Sequence, residues 1–198
     1  MTTPAFAASS VHGTMEGDTY VAPMGDYRCQ IPNFDSRDIK LDEGFGKAGG
    51  TAAFISFLNI TRVDVEKVEI GVPATEMTPE LVRELHTFYF QEQVVPLVKA
   101  GVKDASIVSK DYQSKAPTTY RSVMKLPMGK RKGGDMMRAS IQYTNGDFMY
   151  VVSVSRYMKP ERGWSEAQDA EELMKEAERA FARCQFPPIP TGNSEPVT

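Results

Sequence analysis

Histidine and cysteine are almost missing from this chain. Its 198 residues hold only His12, His86, Cys29 and Cys184. Most hydrolytic, redox and metal chemistry draws on those two residue types. Neither histidine stands at a metal-like or triad-like spacing. His12 falls in a small, polar, aperiodic opening stretch, so no second ordered histidine is expected for a relay. Long apolar runs are missing too: the longest, around Ala52 to Leu58, is strand-sized, well short of the roughly 18 residues a membrane span needs. No G-x-S-x-G elbow presents a serine nucleophile. These gaps point to binding rather than catalysis, with no cofactor and no metal implied.

The remaining composition is that of one folded unit. Hydrophobic residues make up 41% and charged residues 25%, which excludes global disorder. A net charge of −3 argues against a dedicated nucleic-acid binder. Ala5-Phe6-Ala7-Ala8 fits a small-x-small cleavage pattern without the charged and apolar regions before it. It reads either as the end of a trimmed export signal, placing the protein in the periplasm or outside a bacterial-style cell, or as a plain tail of a cytoplasmic protein. The cysteines stay open in the same way: one Cys29–Cys184 bridge from first strand to last helix in an oxidising compartment, or two buried thiols otherwise.

Along the chain, residues 1–18 are expected to lack order, 19–185 to form a single domain, and the proline-rich stretch 186–198 to be an extended tail. Alternation predicts strands at Tyr27 to Ile31, Thr51 to Ile60, Ala105 to Tyr112 and Tyr120 to Leu126, and at Arg62 to Ile70 a strand in preference to a short helix. Asn145-Gly146-Asp147 between Met136–Thr144 and Phe148–Met158 is a hairpin signal. One helix starts at Thr78-Pro79-Glu80, lays Leu81, Leu85, Phe88 and Val95 on one face, and should kink or end at Pro96. A second opens on the capping box Ser165-Glu-Ala-Gln168, with a stripe from Ala170 through Leu173, Ala177 and Phe181. This order predicts an α+β fold: a central antiparallel sheet with two main helices packed on it, sandwich-like.

Four segments could carry chemistry. Gly44-Phe-Gly46-Lys-Ala-Gly49-Gly50 matches G-x-G-x-x-G but leads into a strand, so it reads as a mobile loop and not a nucleotide site. Lys125 through Lys132 places Lys125, Lys130, Arg131 and Lys132 in one inter-strand segment, with Met128 as an apolar neighbour and Met136, Met137 and Met149 nearby. That is a flexible positive tip for an acidic partner, a phosphate or an anionic membrane surface, or a solvated hairpin loop. His86 reads as a surface or half-buried structural side chain. Asp64, Glu66 and Glu69, near Asp104 or Asp135, could bring two carboxylates together.

Tyr20-Val-Ala-Pro23-Met-Gly25-Asp-Tyr27-Arg-Cys-Gln-Ile31-Pro32 resembles the start of PsbP-like and DcrB-like domains, which open with an aromatic, a Pro-x-Gly turn, a short strand and a proline. The Trp164-to-Cys184 helix and the hairpin before it look similar as well. The resemblance implies an α/β/α sandwich, often exported, in a mostly non-enzymatic assembly or binding factor. It carries over no catalytic residue, and the glycine-rich and basic segments fall outside its pattern. The expectation is a non-catalytic binding or accessory protein, engaging a protein partner of acidic character through Met128, Lys130, Arg131 and Lys132, with oligomeric state open. The alternative is a small-molecule carrier or uncharacterised enzyme with a pocket under Gly44–Gly50.

Overall fold

Period-two alternation decides which side of a sheet each residue faces, and here it sorts an apolar face from a polar one. A computed structural model describes residues 12–30, 39–46, 49–56, 61–72, 76, 78–99, 106–113, 119–127, 135–158, 163 and 165–188. In chain order these hold β1 (Thr14–Glu16), β2 (Thr19–Val21), β3 (Arg28–Gln30), β4 (Ile39–Gly46), β5 (Gly49–Ser56) and β6 (Thr61–Glu69). Then follow α1 (Pro79–Lys99), β7 (Ser106–Gln113), β8 (Thr119–Pro127), β9 (Asp135–Thr144), β10 (Phe148–Tyr157), α2 (Glu166–Ala182) and β11 (Cys184–Gln185). Seven strands pair antiparallel in the order β4-β5-β6-β10-β9-β8-β7, and a four-stranded sheet runs β1-β2-β3-β11. The α+β architecture with two helices against antiparallel sheets is as expected; the separate small sheet is an addition.

One face of the large sheet is apolar. Phe54, Val65, Ile141 and Val152 meet Leu173 and Ala177 of α2, while Tyr20, Tyr27 and Cys29 of the small sheet close the rest. The Ser165 side chain accepts from the Gln168 amide, the Gln168 side chain answers the Ser165 amide, and Glu166 and Asp169 complement the helix dipole. Three cations on this face each hold an acid of α2: Arg121 pairs with Glu178, Arg156 with Glu176, and Lys125 with Glu166 at 2.7 Å. Gly146, at φ 120°, makes the β9–β10 turn.

Several expectations change. The opening stretch is ordered from His12 onward: β1 pairs with β2, and the Glu43 carboxylate accepts from Tyr20 Oη at 2.6 Å and from the Gly13 amide at 3.1 Å. His12 Nδ1 lies 3.1 Å from the same carboxylate. The proline-rich end likewise begins inside the domain, because the Phe186 ring stacks 5.0 Å from Tyr150 and 5.4 Å from Phe181. Pro96 does not end α1, which runs on to Lys99. The face that α1 buries is Val82, His86 and Tyr89, whereas Phe88 is 61% exposed.

Gly44–Gly50 is no loop over a pocket. Gly44 and Gly46 belong to β4, Gly49 and Gly50 to β5, and Gly46 pairs with Gly49. A Cβ at Gly49, where φ is +130°, would stand 2.0 Å from the Lys67 carbonyl oxygen, and one at Gly50 would meet the Gly44 carbonyl at 2.4 Å. These glycines let three strands approach closely. Surface hollows lie along α2 and beside β3 and β11.

Candidate functional site

The face of the large sheet turned toward α1 is polar and yet buried. Strand register arranges it in rows. Across the middle run Ala53, Asp64, Ser153, Ser140 and Ser122, all at most 5% exposed. On one side the row reads Thr51, Glu66, Val151, Gln142, Tyr120; on the other, Ile55, Arg62, Ser155, Arg138, Met124. Buried polar groups cost stability unless bonded, and the β6–β10 half of this layer is bonded. Arg138 donates to Glu66 and, at 3.0 Å, to Ser153 Oγ; Ser140 and Ser153 share a 3.1 Å bond; Arg62 Nε lies 2.7 Å from Asp64. Tyr89 on α1 donates to the other oxygen of Glu66, fastening helix to sheet. Burial pushes the Asp64 carboxyl up from its ordinary value even with Arg138 and Arg62 beside it.

The β8–β9 half is different. His86 is fully buried, its ring edge-on to Tyr120 with centroids 5.9 Å apart, and neither ring nitrogen has a hydrogen-bond partner. Burial lowers its pKa from 6.5 to about 4. Gln142, the register partner of Tyr120, is 2% exposed and its Oε1 is also unpartnered. This corrects the reading of His86 as a surface or half-buried side chain. Asp64 and Glu66 do lie on one face, but each is committed to a guanidinium, and Asp135 pairs with Lys125 at 3.3 Å. Asp104 lies outside the described residues.

Met128, Lys130, Arg131 and Lys132 lie outside the described residues as well, in the connection between β8 and β9. Lys125 at its base is occupied by Glu166 and Asp135. Met137 and Met149 are each 1% exposed and pack in the interior, so they add nothing to a surface patch. Cys29 and Cys184 are register partners in β3 and β11 and form a disulfide. Among the described residues no group of histidine, cysteine and carboxylate side chains could hold a metal ion, and no helix is long and apolar enough to cross a membrane.

The large antiparallel sheet, with α1 on one face and α2 with the small sheet on the other, defines a PsbP-like fold. The chain is similar in structure to cyanobacterial PsbP from Synechocystis at 11% identity and TM-score 0.58, covering 93% of this chain and 98% of that one. It is also similar to the Ran-binding protein Mog1p of Saccharomyces cerevisiae at 9% identity and TM-score 0.53, covering 87% and 96% of the two chains. No family model and no curated protein matches the sequence.

Proposed function

We propose that this chain is a non-catalytic binding or accessory protein that engages a protein partner of acidic character through the loop between β8 and β9. The observation that carries this reading is the division of charge at that loop. Lys125 at its base is neutralised by Glu166 and Asp135 of the domain itself, while Lys130, Arg131 and Lys132 follow in the connection on a chain of net charge −3. A local excess of one sign on an oppositely charged protein steers encounter with a complementary surface. A Ran-binding protein of similar fold supports the class. The disulfide suits an oxidising compartment and favours export.

The test is charge reversal of Lys130, Arg131 and Lys132 to glutamate, with proteins captured from the native organism quantified against wild type. The partner's yield should fall several-fold and depend on salt, while the melting temperature holds. Undiminished capture by the reversed protein refutes the reading.

A further inference from the structure

Among the described residues of the layer under α1, two unpartnered polar side chains both border Tyr120. Gln142 sits across from Tyr120 in the β8–β9 register, and the Tyr120 ring touches that of His86. His86 is fully buried and Gln142 nearly so, so bulk water does not meet their needs. The edge-on ring contact offers a nitrogen no more than a weak interaction. Everywhere else in the layer the described charges are matched: Arg138 to Glu66 and Arg62 to Asp64.

The unfilled positions define a chemistry. A neutral imidazole presents one N–H donor and one nitrogen acceptor, and the Gln142 carbonyl presents an acceptor. A carboxylate or phosphate brings only acceptors and would leave both protein acceptors bare. An ammonium brings only donors and would leave the imidazole N–H bare. A hydroxyl group donates and accepts through one atom, so adjacent hydroxyls complete the set. We propose that the β8–β9 half of the layer beneath α1 binds a small, neutral, hydroxyl-rich molecule, a polyol or monosaccharide, through both His86 ring nitrogens and the Gln142 side-chain carbonyl. Entry requires α1 to lift from the sheet, to which it is held over the β6–β10 half by the Tyr89–Glu66 bond and the small apolar cluster of Tyr89, Met149 and Val151. This site goes beyond the reading of the β8–β9 loop and does not depend on it.

The full chain, isotope-labelled, is titrated with glycerol, myo-inositol and glucose while the ring nitrogen resonances of His86 are followed by NMR. At least one probe should shift them saturably, and acetate and ammonium should not. Gln142→Leu removes an unbonded buried carbonyl and should leave folding intact, yet weaken that probe by about tenfold. Calorimetry on His86→Phe, which keeps an aromatic ring in place, gives a second reading: the heat of probe binding disappears. Resonances unmoved by all three probes, an undiminished response in Gln142→Leu, or heat retained in His86→Phe each overturn the site.

Discussion

His86 is enclosed by α1 and the sheet with neither nitrogen bonded, so the fold admits it only in the neutral form. Burial lowers its pKa from 6.5 to about 4. Between those values the unfolded chain takes up a proton that the folded one refuses. The stability held by neutral His86 is therefore complete above pH 6.5 and is lost as pH falls toward 4. The size is roughly 3 kcal/mol. Tyr120, the titratable group against its ring, has its pKa raised by burial and keeps its proton throughout. Asp64 acts with the opposite sign: its raised carboxyl favours folding at low pH, and that contribution fades as pH rises through its folded value. Replacing His86 by Phe should flatten the rise of unfolding free energy with pH in this window, as read by urea titration. An unchanged slope in the variant contradicts the burial of a neutral imidazole.

At the level of elements, both helices were legible, but the buried face of α2 could be read and that of α1 could not, for one physical reason. The inner face of α2 meets an apolar sheet face, so its small and apolar residues, Ala170, Leu173 and Ala177, mark the buried side directly. Its capping box was equally plain, and Ser165→Ala should destabilise the protein by about 1 kcal/mol in thermal or chemical unfolding. Helix α1 meets a polar sheet face. The side it buries contains His86 and Tyr89, while apolar Phe88 points out, so reading the stripe Leu81, Leu85, Phe88 as the inner face misjudged the rotation of the helix. The β9–β10 hairpin was readable from Asn145-Gly146 because that turn needs positive φ. The glycines of β4 and β5 were misread because glycine also serves where strands crowd, as Gly49 does against Lys67. Strands β1 and β2 hold only three residues each, too few for alternation to show. Pairing across the sheet, which sets Gln142 beside Tyr120, leaves no local signal at all.

For the molecule as a whole, the decisive link joins β3 to β11. Cys29 and Cys184 are 155 residues apart and closed by one disulfide, worth about 5 kcal/mol in the chain-entropy account of cross-links. Unreduced protein in denaturant should show no free thiol, and two after reduction. The double variant Cys29→Ser, Cys184→Ser should melt well below wild type by calorimetry, and equal melting would mean that pairing alone holds the small sheet together. Phe186, two residues beyond the bridge, carries the effect inward to Tyr27, Tyr143 and Tyr150. Pairing of β3 with β11 also sets an order of assembly. A ribosome releases β3 long before β11, while every strand of the large sheet, and α2 to cover it, is made in between. Strand β3 therefore gains its second neighbour only after the large sheet and α2 have been made, and Cys29 waits as a thiol until nearly the whole domain has been made.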